Sequence, residues 1–369
     1  MTNTEIDVDN LNIQPALSQA GLDIQTVLQL KKQFEEQTEN SVSNDAKELV
    51  HSTLSQIDKR YGNTVNVSME SVSTVVSKIK EYARKIIQAI IEMIHRLLSS
   101  FHRFRLKGDA IISLVDRTES VLRGHVANQR RGLFVEAGSL ATTLFVSKGG
   151  GNPKESYRKL IDTSVQCYEA MDYPALEDIL KQLQNASDAE VGNITKQLLV
   201  TLSTPLKKIL NAPVPEVLKD RNTRSNSDLL CAGPFLGEKY VYAYCPRDSD
   251  SISEFHIGMF RNNEAIILKT RLPALGTQDI WDICQKARAF ANLLVGFTSK
   301  LDIDLRRISN AAKHLSDNTE SMKAIAVAAV YPTALNGLHY TAVNMGIETT
   351  FAMLDYCQRS IKAQVAVEK

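Results

Sequence analysis

The sequence predicts a mainly α-helical chain with one small antiparallel β-meander, an α+β arrangement built on long amphipathic helices. Three observations predict it. Apolar residues recur at helical spacing across residues 71–106, in three blocks between residues 154 and 210, and again from Thr277 onward. A tract at 229–272 instead holds short runs of β-branched and aromatic residues separated by turn formers. The hydrophobic content of 43% and charged content of 23% are those of an ordinary globular chain, and 369 residues suffice for two or three cores.

Taken in order, residues 1–70 read as a weakly structured segment rich in Asn, Asp, Ser, Thr and Gln. Short helices are expected from Asp23 to Glu39 and from Asn44 to Arg60, before a turn at Tyr61-Gly62-Asn63-Thr64. Residues 71–131 read as a basic amphipathic helical hairpin. Its first helix carries a stripe through Val72, Val75, Ile79, Ile86, Ile90, Ile91, Ile94, Leu97 and Phe101, and Gly108 is expected to end it. Its second helix runs from Asp109 to about Gln129.

Residues 132–216 form a helical region, with a Gly-rich loop at Ser147–Pro153 and helices near 154–171, 174–185 and 188–210. Pro213 and Pro215 close that block, and Asp220–Asp228 reads as a polar connection. Strands are expected at Lys239–Cys245, Ser253–Arg261 and Glu264–Thr270, with Asn262-Asn263 as a hairpin turn. Residues 273–369 hold the long closing helices. One runs from Thr277 toward His314, and another starts at Asp317 or Thr319 with kinks at Pro332 and Gly337.

The near-neutral total of +1 conceals a dipolar chain. Residues 1–70 carry eleven acidic and five basic side chains, a net −6, whereas residues 71–131 carry twelve basic and five acidic, a net +7. Such asymmetry points to an interaction tail or to a part meant for removal. The five cysteines are scattered, without a CxxC pair, and are expected to be free thiols of a reducing compartment. Residues 1–25 lack a basic start and an apolar run, so no secretory signal is expected. Ile86–Leu98 is too short and too charged to span a bilayer, which needs about 20 apolar residues.

Catalytic and cofactor motifs are missing. There is no Walker loop, GxGxxG, GxSxG or HExxH, and Gly149–Gly151 runs into Asn-Pro without a phosphate-binding lysine. His95 and His102 share a helix face with only Glu92 nearby, too few ligands for a metal. The chain is therefore expected to be neither an enzyme nor a cofactor carrier. If a site existed on the meander, His256, Arg261 and Arg271 would be its candidates.

The cationic helix admits three readings: a core helix with a solvated face, a polyanion contact, or a membrane-surface segment. The polyanion-contact candidates are Lys78, Lys80, Arg84, Lys85, Arg96, Arg103, Arg105 and Lys107. Directly before the helix stands Ser68-Met69-Glu70, followed by Ser71. A small residue, any residue, then Glu, ahead of VSKIKEYARKIIQAIIEMIHRLLSSFHRF and LKGDAIISLVDRTESVL, resembles the internal head proteins of giant tailed bacteriophages of the phiKZ-like type. The resemblance implies cleavage after Glu70 by the phage prohead protease and a mature chain beginning at Ser71. It further implies residence in the capsid interior after synthesis in the host cytoplasm. Its implied partners are other internal head proteins and double-stranded DNA bound non-specifically, with ejection alongside the genome as a further expectation.

The triplet also occurs at Ala46-Lys47-Glu48, Ala175-Leu176-Glu177 and Gly346-Ile347-Glu348. The last two fall in strong helical patterns, whereas Glu48 is a candidate second cut. The alternative reading is a membrane-active or helical host-interaction protein that uses residues 71–107 for transient membrane contact.

Overall fold

A computed structural model describes residues 102–124, 133–144, 153–170, 173–220, 226–249, 252–262, 271–318 and 337–366, with single positions at 88, 91, 92, 324, 327, 328, 330 and 334. Among them the chain is mainly α, with two small antiparallel sheets. Helix α1 spans 102–123. Strand β1 (Phe134–Glu136) and the short α2 (Leu140–Thr143) follow. Then come α3 (Pro153–Glu169), α4 (Tyr173–Gln184), α5 (Asp188–Ile209) and α6 (Glu216–Asp220). Strands β2 (Ser227–Phe235), β3 (Lys239–Pro246), β4 (His256–Arg261) and β5 (Arg271–Pro273) lead into α7 (Thr277–Asn318). A π-helical turn at Gly337–Val343 passes directly into α8 (Asn344–Ala366).

Local chemistry explains the boundaries. Ser187 opens α5: its backbone N–H and its hydroxyl meet Glu190 Oε2 at 2.8 and 2.7 Å, satisfying a donor that the first helical turn leaves unpaired. Lys207 and Lys208 lie in its last turn, where the helix dipole favours cations. Lys207 also pairs with Asp228 at 3.2 Å, which ties the end of α5 to β2.

A three-stranded antiparallel meander is present in the order β2-β3-β4; β3 and β4 match expected strands, although β4 begins only at His256, after a 3-10 turn at Ile252–Glu254, and β2 was not expected as a strand. Along β3, Val241, Ala243 and Cys245 point into the core, as the strand period of two requires. Tyr240, Tyr242 and Tyr244 take the other face, where Tyr240 meets Phe260 and Tyr242 meets His256 across the strand pair. Two boundaries need correction. The tract read as polar connection up to Asp228 already enters β2 at Ser227, because the Gly-Pro in SDLLCAGPF disguised a strand as loop. The region at 132–216 is not purely helical: β1 pairs with β5, placing Val135 opposite Leu272 in a second sheet. Glu264–Thr270 and Asn263 lie outside the described residues.

One continuous core joins α1, α3, α5, the sheet, α7 and α8. Helix α7 supplies Ile280, Ile283, Cys284, Ala287, Phe290, Ala291 and Leu294 to it. Its 42 residues carry it past the expected end at His314. Tyr157 of α3 shares a buried hydrogen bond of 3.1 Å with Thr350 of α8. The break expected at Gly337 is the start of the π-turn. A Cβ there would lie 2.7 Å from Cβ of Ile257, so only glycine lets the turn rest on β4. Pro332 lies outside the described residues.

Candidate functional site

The candidate site has two parts, the Glu70 junction and the cationic helix behind it. Ser68, Met69, Glu70, Ser71, Lys78, Lys80, Arg84, Lys85 and Arg96 lie outside the described residues, as does Ala46-Lys47-Glu48. The end of the basic segment is described, as α1.

Helix α1 buries Phe104, Gly108, Ile111, Val115, Thr118 and Leu122, a stripe advancing by four and three residues alternately. Gly108 lies on that stripe. The expected helix end is therefore wrong: the helix passes through Gly108 without a break. The glycine serves close packing, since a Cβ would sit 3.1 Å from the Ala291 carbonyl oxygen and 3.1 Å from Val295 Cγ2 of α7. The spacing of Gly108 from Phe104 and Ile111 was the signal for this role. Polar contacts seat the same helix. Arg288 of α7 reaches Asp116 at 2.8 Å and Glu119 at 3.0 Å, and Gln358 of α8 donates to Thr118 Oγ1 at 3.2 Å.

Of the polyanion-contact candidates on α1, Arg103 and Arg105 are exposed. Lys107 differs. It is half-buried, and its Nζ donates to Asn344 Oδ1 at 3.3 Å at the start of α8. Asn344 in turn donates to Glu348 at 3.2 Å, and the other oxygen of Glu348 lies 3.6 Å from Nζ of Lys239, a buried lysine of β3. Burial lowers the pKa of both lysines, against the opposing pull of Glu348. Lys107 thus belongs to a bridge linking α1, α8 and β3, and Lys239 is a member that the strand pattern gave no reason to single out. Farther up the segment, Ile91 is buried while Gln88 and Glu92 are exposed, as its stripe requires.

Two of the competing triplets lie in helices. Glu177 lies within α4, paired to Lys181 at 2.6 Å. Gly346-Ile347-Glu348 lies in the first turns of α8, with Ile347 buried. A protease must extend the backbone it cuts, so both would have to unwind first. Ala366-Val367-Glu368 is a further triplet of this pattern; Ala366 ends α8, and Val367 and Glu368 lie outside the described residues.

The meander candidates do not converge. His256 lies against Tyr242, with Nε2 3.4 Å from the phenol oxygen. Arg261 donates to the Gly237 carbonyl at 3.1 Å. Arg271 belongs to the second sheet and pairs with Glu136 at 2.9 Å. Among the described residues no group of three or more His, Cys, Asp or Glu side chains could hold a metal ion, and no helix is long and apolar enough to cross a membrane. Comparison of the chain with protein-family models, with curated proteins and with solved structures finds no match.

Proposed function

We propose that this chain is a structural internal virion protein of a large tailed phage. It is made with an acidic propeptide, cut after Glu70 by the prohead protease, and packed in the capsid beside DNA. The observation that carries this reading is the reversal from −6 to +7 at Ser68-Met69-Glu70, immediately before a long cationic amphipathic helix. The helical settings of Glu177 and Glu348 support Glu70 as the cut, because they remove two competitors on accessibility. The physics is coherent. Opposite charges attract over about 10 Å at moderate salt, so residues 1–70 mask the cationic segment until they are removed. The unmasked lysines and arginines then gain affinity for phosphates through counterion release.

Burial of Ile91 and Phe104, within residues 71–107, favours this reading over the membrane alternative. An interfacial helix needs its apolar face free, and these stripe residues already face the protein core.

The test is the N-terminus of the protein in purified particles. Mass spectrometry is expected to find a chain beginning at Ser71, and Glu70→Gln to leave residues 1–70 attached. Intact chains starting at Met1 in mature particles would overturn the proposal.

A further inference from the structure

Lys107 stands at the end of the cationic segment, and its direct acceptor is an amide rather than a carboxylate. Its Nζ donates to Asn344 Oδ1 at 3.3 Å. Asn344 donates in turn to Glu348 Oε1 at 3.2 Å, and Glu348 Oε2 lies 3.6 Å from Lys239 Nζ. The order of this relay matters chemically. An asparagine side chain can present either its oxygen or its nitrogen to a neighbour. An ionised carboxylate only accepts, so Glu348 takes the amide nitrogen and turns the amide oxygen toward Lys107. Glu348 therefore fixes Lys107 without touching it, one helical turn along α8 from Asn344.

The two lysines of the relay are placed differently. The Lys239 side chain is 9% exposed, and its ammonium depends on Glu348 for compensation. Lys107 is only half-buried, on a flexible four-carbon stem, and Arg103 and Arg105 beside it on α1 are exposed. The charges around Lys107 oppose one another. Burial holds its pKa down, the Glu348 carboxylate pulls it up, and the Arg103 guanidinium, one turn earlier, pushes it down. Once its amide acceptor turns away, Lys107 gains by swinging its ammonium out to water, on the side of the helix end where anions are drawn.

We propose that Glu348, acting through Asn344, is an intramolecular latch that withholds Lys107 from the anion-facing surface of α1. Neutralising Glu348 lets the Asn344 amide reverse and adds one phosphate contact to those of Arg103 and Arg105. This inference rests on the reading of the segment as a duplex-DNA contact. It makes the start of α8, far away in sequence, a control on how many charges the helix offers.

The test is a mutant cycle on the salt dependence of duplex DNA binding by the full chain. Each phosphate contact contributes about 0.9 to the slope of log affinity against log salt, or about three- to four-fold in affinity between about 50 and 200 mM salt. Glu348→Gln is expected to steepen the slope by about 1, and adding Lys107→Gln to that chain to remove the gain. In the parent chain Lys107→Gln is expected to change the slope little. Asn344→Ala repeats the cycle with the Lys239–Glu348 pair left in place, so a folding defect caused by stranding Lys239 cannot imitate the result. Its circular dichroism spectrum is expected to match that of the parent. Equal effects of Lys107→Gln in the parent, Glu348→Gln and Asn344→Ala chains would overturn the latch, as would no effect in any of them. A slope that ignores Arg103→Gln and Arg105→Gln as well overturns the DNA-contact reading itself, whereas a slope that follows those two changes but not this cycle overturns the latch alone.

Discussion

At the scale of single residues, the cysteines make the sharpest statement. All five are free and buried. Burial pushes the thiols of Cys167, Cys245 and Cys284 up to about 12, and raises those of Cys231 and Cys357 as well. Burial also pushes the phenols of Tyr168 and Tyr356 up to about 12. The folded chain therefore keeps these groups protonated, whereas an unfolded thiol ionises near pH 8.5 and an unfolded phenol near pH 10. Their contribution to stability is complete below about pH 8 and is lost as pH rises toward 12, because the unfolded chain then binds fewer protons. Urea midpoints are expected to be insensitive to these groups up to about pH 8 and to fall progressively above about pH 9. A thiol reagent at neutral pH is expected to leave the native chain unlabelled and to modify all five cysteines in denaturant. The scattered spacing of the cysteines foretold free thiols. Their burial followed from the apolar stripes they sit in, such as Cys284 between Ile280 and Ala287.

At the scale of elements, Gly108 separates two descriptions of the cationic segment. As a helix end it would face solvent and tolerate substitution. On the buried stripe of α1 it sits against the backbone of α7, with contacts to a built Cβ of 3.1 Å. Gly108→Val is expected to destabilise the protein by about 2–3 kcal/mol in urea unfolding, since overpacking outweighs the poor helix propensity of glycine. A neutral result would return Gly108 to the role of a terminator. Truncating its stripe neighbour, Ile111→Ala, removes a side chain that is 0% exposed and is expected to cost about 2–5 kcal/mol. The helices α3, α4, α5 and α7 were legible because each pairs a clear apolar period with a turn or proline at its edge. Strands β1 and β5 were not. Each is three residues long, too short for any alternation, and only the pairing of Val135 with Leu272 makes them strands.

At the scale of the whole molecule, the proposed cut after Glu70 has a consequence for charge. Removing residues 1–70 takes away −6 and leaves +7 on residues 71–369. The processed chain is expected to bind duplex DNA more tightly than the full chain, without sequence preference, and with affinity that falls steeply with salt. Arg103 and Arg105 are exposed, whereas Lys107 is engaged by Asn344. Replacing both arginines by glutamine is therefore expected to reduce the slope of log affinity against log salt by about 2, and replacing Lys107 to change it little. Binding isotherms at four or five salt concentrations measure both. A slope that ignores the arginines but responds to Lys107 would contradict this division of roles.

The sequence alone was enough to specify the fold class, the long helices, the charge reversal at Glu70 and the apolar stripe, because each depends on neighbours within a few turns of one segment. Periodicity and local charge need no partner to be read. The tertiary structure decided what each surface faces. It turned Gly108 from a stop into a contact, drew Lys107 inward to Asn344, and joined β1 to β5 across more than a hundred residues. These outcomes depend on which distant side chain arrives opposite, and that is set by packing of the whole core rather than by any local pattern.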